Sequence, residues 1–161
     1  MRIEQLMTKS PKSCRPGHTL SEAAQLMWDH DCGCLPVTAE DGSGRVVGMI
    51  TDRDISMAAH FQGRPLRDLR VGEVMAKDVR ACNPGDAPRE AEAIMWEAHV
   101  RRLPVVDEAD QLLGILSLAD LAREAARQHW KRKREITEAE VGVLLAMICQ
   151  PHAISRPAPD Q

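Results

Sequence analysis

The sequence predicts an α+β fold: two tandem β-α-β-β-α repeats packed sheet to sheet about a pseudo-twofold axis, followed by a helical tail. Three observations carry this. Displaced by 68 positions, the chain matches itself: Met7 falls on Met75, Cys14 on Cys82, Pro16-Gly17 on Pro84-Gly85, Met27-Trp28 on Met95-Trp96, and Leu35-Pro36-Val37 on Leu103-Pro104-Val105. Beyond Val37 the displacement becomes 66, which places Gly48 on Gly114, Thr51 on Ser117 and Asp54 on Asp120. The change falls in the loop 38–45, a Gly/Asp/Ser-rich turn between apolar runs, where a hairpin tolerates extra length. Finally, a three-stranded sheet with both helices on one face leaves its other face apolar, so one copy must cover the other.

In the first repeat, taken as residues 1–64, a short strand is expected near Ser13 to Arg15. Thr19 and Glu22 have capping-box spacing, and Leu20, Ala23, Ala24, Met27 and Trp28 recur at helical intervals, which predicts a helix over Thr19 to His30. Leu35-Pro36-Val37 and Arg45 to Ile50 read as strands joined by the Asp41-Gly42-Ser43-Gly44 turn, and a second helix starts near Asp52. The second repeat, 65–128, repeats the order: a strand near Val79 to Cys82, a helix from Pro88 to Ala98, a hairpin over 103–106 and 111–116, and a helix from Leu118. Ala87 stands where Thr19 stood, leaving Asp86 as the candidate cap. Residues 129–161 form a basic linker, an amphipathic helix opening at Thr137 with Val141, Leu144, Leu145 and Ile148 on one side, and a Pro-rich end expected to be disordered.

Composition narrows the function classes. A net charge of -3 gives no global attraction to nucleic acid or an anionic membrane. Aromatic residues make up 2% of the chain, too few for the stacking platforms of single-strand binders. No apolar run is long enough to span a bilayer and no signal-like segment opens the chain, so a cytosolic location is expected. The five cysteines lack paired zinc-ribbon spacing, and the six histidines do not cluster, so neither a metal site nor a catalytic constellation is read. Cys32 and Cys34, two apart in a strand-like segment, would point to opposite faces. Trp28 and Trp96, at equivalent helix positions, are read as core or pseudo-symmetric interface.

Each copy also carries, in order, Met7-Thr8 or Met75-Ala76, then Leu-Pro-Val, then a Gly-x-x-Ser/Thr-x-x-Asp run: Gly48-Met49-Ile50-Thr51-Asp52-Arg53-Asp54 and Gly114-Ile115-Leu116-Ser117-Leu118-Ala119-Asp120. In this the chain resembles the CBS-domain family, whose tandem pairs are called Bateman modules. The resemblance implies a non-enzymatic regulatory module, without a catalytic cofactor, that binds an adenosine-containing ligand (AMP, ADP, ATP, NAD or S-adenosylmethionine) in clefts between the repeats. It further implies a homodimer and signalling to a partner protein that the sequence does not name.

The chemistry of the motif agrees with that implication. Thr51 and Ser117 sit where a strand hands over to a helix, so a hydroxyl and free backbone N–H groups could meet a phosphate. Asp54 and Asp120, three residues on, could accept both ribose hydroxyls. Adenine would be read by backbone near Ser13 or Val79 and flanked by Gly33-Cys34 and Arg101-Arg102. Arg53, Arg101 and Arg102 could reach phosphates or serve as solvated surface charge, and Thr8 has a hydroxyl that its counterpart Ala76 lacks, so the two sites are expected to differ. The same Ser/Thr-x-x-Asp spacing is also a capping box that needs no ligand. Two further readings stand beside the sensor: an interaction protein with empty clefts acting through its dimer surface and C-terminal helix, and nucleic-acid contact through the basic run 127–134. The run is short and is followed by Glu135, Glu138 and Glu140, which reads instead as a solvated linker.

Overall fold

The computed structural model describes residues 1–131 and 133–150. The expected repeats are present. In the first, α1 (Leu20–Asp29), β2 (Cys34–Thr38), β3 (Val46–Thr51) and α2 (Asp52–Gln62) follow a two-residue strand β1 (Thr8–Lys9). A single turn, α3 (Val71–Val74), precedes the second set: α4 (Pro88–Ala98), β4 (Arg102–Val106), β5 (Leu112–Ser117) and α5 (Leu118–Gln128). The tail helix is α6 (Glu138–Ile148).

Local chemistry sets the helix starts. Thr19 caps α1, its hydroxyl accepting from Glu22 N at 3.1 Å while Glu22 Oε2 accepts from Thr19 N at 2.7 Å. In α4 the half of this box that Ala87 can make survives: Ala87 N donates to Glu90 Oε2 at 2.6 Å. Asp86 is not the substitute cap, because its Oδ2 accepts from Asn83 N at 2.7 Å and so closes the preceding turn. Pro88 at the first position supplies a helical φ and has no N–H to leave unpaired.

The hairpins are near copies. Leu35 pairs Ile50 and Val37 pairs Gly48, with a bulge before Thr38; Leu103 pairs Leu116 and Val105 pairs Gly114, with a bulge before Val106. The strands expected at Ser13 to Arg15 and Val79 to Cys82 contract to single parallel bridges, Cys14 to Val37 and Cys82 to Val105. Cys14 N donates to the Pro36 carbonyl and Thr38 N to the Cys14 carbonyl, so the next parallel bond upstream would need an N–H on Pro36. Proline has none, and Pro104 ends the second ladder in the same way.

The third partner of each hairpin comes from the opposite repeat. Strand β1 pairs antiparallel with β5, Thr8 opposite Ile115, and its counterpart Ala76 bridges Met49 of β3. Arg45 and Gln111, equivalent positions of the two repeats, bridge each other, so the pseudo-twofold axis runs between them. Two cores result. One gathers Leu20, Met27, Leu35, Ile50 and Ile55 with Leu69 and Val71 from beyond α2. The other gathers Met95, Leu103, Leu116 and Leu121 with Ile3 from the N-terminus and Ile136, Val141, Leu144 and Ile148 from the tail. All five residues of β2 are buried, as a strand covered on both faces must be.

Helix α6 packs on α4 and α5 of its own chain, which covers its apolar stripe. Leu145 is the exception to that stripe at 45% exposed, while Val141, Leu144 and Ile148 are buried. Neither tryptophan joins a core: Trp28 is 84% exposed and Trp96 is 49% exposed, both on the outer helix faces. The Pro-rich end, 151–161, lies outside the described residues, as does Arg132 of the basic run.

Candidate functional site

The two motifs close into matching hydrogen-bond rings at the starts of α2 and α5. Asp54 Oδ2 accepts from Thr51 N at 2.9 Å and from Thr51 Oγ1 at 2.7 Å, and Thr51 Oγ1 accepts from Asp54 N at 3.2 Å. Asp120 Oδ2 accepts from Ser117 N at 2.7 Å and from Ser117 Oγ at 2.6 Å, and Ser117 Oγ accepts from Asp120 N at 3.2 Å. The capping box is therefore formed at both sites, and each hydroxyl is used within it.

The expected cluster of free amides is smaller than the motif suggested. At α2, Asp52 N donates to the Gly33 carbonyl at 3.1 Å and Arg53 N to Asp52 Oδ1 at 2.7 Å, so with Asp54 N capped the whole first turn is satisfied. At α5, Leu118 N donates to the Arg101 carbonyl at 2.9 Å, Asp120 N is capped, and Ala119 N has no acceptor among the described residues.

The carboxylates diverge in the opposite sense. Asp120, 8% exposed, has its second oxygen Oδ1 occupied by the Arg123 guanidinium. Asp54 is half-buried, and its Oδ1 has no partner among the described residues, because Met57 occupies the position equivalent to Arg123. The first repeat thus presents an open carboxylate oxygen, and the second an open amide.

The other candidate residues fall into separate groups. Arg102 begins β4 and is exposed, yet it reaches toward the first repeat: a Cβ placed on Gly33 would lie 3.0 Å from Asp52 Oδ2 and 3.9 Å from Arg102 Nη2. Cys34, opposite Thr51 in the ladder, is buried, and that burial pushes its thiol up to about 11 against the pull of Arg102. Arg101, Arg102 and Ser117 share a 340 Å³ cavity with Leu118, Ala119 and Ala122 of α5 and Val141 and Leu145 of α6. Gly33 lines a 430 Å³ groove with Met27, Trp28, Asp52 and Ile55. Val79 borders a 270 Å³ cavity between the repeats, faced by Val46, Val47, Val106 and Asp110.

Asp54 and Asp120 line none of these cavities. Arg53 is exposed, Ser13 is half-buried beside the Cys14 bridge, and Thr8 lies on β5 of the second repeat, away from Thr51. The contribution of α6 to the Ser117 cavity was missed in the sequence, although the stripe containing Val141 and Leu145 was its visible trace. Among the described residues no group of three or more His, Cys, Asp or Glu side chains gathers as metal ligands would, and no helix is long and apolar enough to cross a membrane.

The CBS domain model matches residues 3–60 and 71–127, most of the chain. The protein YhcV of Bacillus subtilis, a CBS domain-containing protein, is 38% identical over 120 residues, 74% of this chain and 82% of its own length. Hypoxic response protein 1 of Mycobacterium tuberculosis is 32% identical over 137 residues, 85% of this chain and 86% of its own. A crystal structure of Hypoxic Response Protein I with two coordinated zinc ions superposes with a TM-score of 0.69, covering 76% of this chain and 98% of that one. A CBS domain protein from Pyrobaculum aerophilum complexed with AMP, 26% identical, superposes with a TM-score of 0.71 over 78% of this chain and 94% of its own.

Proposed function

The chain belongs to the CBS-domain family, and from that premise we propose that it is a regulatory module that binds an adenosine-containing ligand between its repeats and signals occupancy to a partner. The observation that carries this reading is the unpaired Oδ1 of Asp54, a carboxylate oxygen held at a helix start with nothing else to accept. A ribose hydroxyl satisfies it, and a charge-assisted hydrogen bond of that kind contributes about 1.5–3 kcal/mol. Arg102 reaches from the second repeat to 3.9 Å from a Cβ placed on Gly33 and supplies a cation near the junction of the repeats for a phosphate. The AMP complex of the Pyrobaculum relative supports a nucleotide as the ligand class. No catalytic step and no metal enter this reading.

Assembly as a homodimer of two such modules fits the exposed Trp28, Met57 and Phe61, apolar side chains on α1 and α2 that the described residues leave uncovered. A second reading, an interaction protein with empty clefts, is favoured by the completed capping boxes at Thr51 and Ser117. Calorimetry with AMP, ADP, ATP, NAD and S-adenosylmethionine separates the two. The sensor reading expects at least one to bind and Asp54→Ala to weaken it. Failure of all five to bind sinks that reading in favour of the second.

A further inference from the structure

The tail helix α6 has no counterpart in the first repeat, and its first and middle turns border the second repeat's candidate site. Val141 and Leu145 form one wall of the 340 Å³ cavity whose other walls are Arg101, Arg102, Ser117, Leu118, Ala119 and Ala122. Ala119, whose N–H has no acceptor among the described residues, lines that cavity, and so do two arginines. At 340 Å³ the cavity is at the small end of the range of ligand pockets, about 300–1,000 Å³, and an occupant that fills it meets Val141 and Leu145 of α6.

We infer that α6 is a working wall of the second repeat's ligand site and that occupancy of this site is read out as tighter seating of α6. This rests on the adenosine-ligand reading given above and extends it to the regulation of one of the two sites. The phosphate side is supplied by Arg101, Arg102 and the Ala119 amide, and the apolar side by Val141, Leu145 and Ala122.

The seating of α6 is built to respond. Ile136, Val141, Leu144 and Ile148 bury one face, and a chain of polar contacts fixes the approach to it. Gln128, buried, donates to Glu124 Oε1 at 2.6 Å and accepts from Glu135 N at 2.7 Å, and Glu135 in turn receives the N-terminal amine of Met1. A shift of α6 therefore moves both the end of α5 and the N-terminal arm. Among the described residues the equivalent groove of the first repeat, between α1 and α2, carries no such helix, so α6 reports on the second repeat alone. A ligand that contacts only the seated position shifts the equilibrium toward it by its differential affinity.

The test is amide hydrogen exchange of the full chain with and without saturating AMP, ATP or S-adenosylmethionine, joined to calorimetry of two variants. Leu145→Gln alters the cavity wall at a half-exposed position that the fold tolerates. Val143→Gln alters the same helix at a site 63% exposed and outside that cavity. Exchange in residues 139–148 is expected to slow severalfold on binding. Leu145→Gln should weaken the second-site affinity roughly tenfold, equivalent to about 1.4 kcal/mol, with Val143→Gln unchanged. Binding that is sensitive to Asp54→Ala or Asp120→Ala but leaves α6 exchange and the Leu145→Gln affinity unmoved overturns this inference while sparing the sensor reading. Absence of binding by these three and by ADP and NAD removes both.

Discussion

Arg123 closes the free oxygen of Asp120, and the residue equivalent to Arg123 in the first repeat is Met57, which can close nothing. One side-chain difference, three residues past each carboxylate, makes two sites of the same motif unequal. Asp54→Ala should therefore cost more ligand affinity than Asp120→Ala, roughly tenfold or more against a few-fold, as the loss of a hydrogen bond to a charged group implies. Exchanging the partners tests the cause directly: Arg123→Met is expected to strengthen the second site and Met57→Arg to weaken the first, both read by calorimetry. Equal effects of the two aspartate changes would show that Arg123 gives way without cost.

The glycines of the motif are there for the crossing arms. A Cβ on Gly114 would lie 2.5 Å from Met7 Sδ and 3.0 Å from the Thr8 carbonyl, and a Cβ on Gly48 would lie 2.6 Å from Met75 Sδ and 3.1 Å from the Ala76 carbonyl. The methionines can swing aside, but the carbonyls belong to paired backbone. Gly114→Ala should destabilise the chain by about 1–3 kcal/mol and raise amide exchange in residues 3–9, measured by urea unfolding and mass spectrometry. Gly142→Ala is the control: nothing lies within 4 Å of its Cβ position in the middle of α6, so it should stabilise by up to about 1 kcal/mol.

Burial pushes the thiols of Cys14 and Cys82 up from 9.0 to about 12, and that of Cys34 to about 11. Because the folded values are raised, the stability these neutral thiols contribute is complete below pH 9 and declines as pH climbs from 9 toward 11–12, where the unfolded chain ionises first. Thermal unfolding should accordingly move to lower temperature above pH 9, with a shallower slope in a Cys14→Ala/Cys82→Ala variant. At pH 8 a thiol reagent should label Cys149 and Cys32 in the native chain and reach the other three only in denaturant, matching their exposure.

Much of this was legible in the sequence. The helix α1 and its cap followed from Thr19, Glu22 and the apolar spacing, and the hairpins followed from Leu-Pro-Val and the turn chemistry. The exchange of arms was not, because β1 could extend either of two sheets with the same residue pattern, and pattern alone does not distinguish equivalent partners. Pro36 and Pro104 were visible, but their effect depends on which edge their missing N–H faces, a property of the pairing and not of the strand. Trp28 shows a different limit: it sits one residue past Met27 at the margin of the stripe, and helical spacing does not say where a stripe ends. A difference between the two sites was expected from Arg53, Arg101, Arg102 and Thr8; the surroundings of the two carboxylates differ as well, at Arg123 and Met57.

The crossing arms also set the order in which the protein can be completed on the ribosome. Thr8 and Lys9 find their place only against β5, more than a hundred residues later, and Ile3 and Glu4 only against Pro84 and Asp86. At about 5–20 residues per second that wait is on the order of ten seconds, during which Ile3, Leu6 and Met7 have no core to enter. The first repeat, too, must wait for Leu69, Val71 and Ala76 before its own sheet and core are finished. Each repeat thus reaches its finished sheet and core only with segments that the other end of the chain supplies.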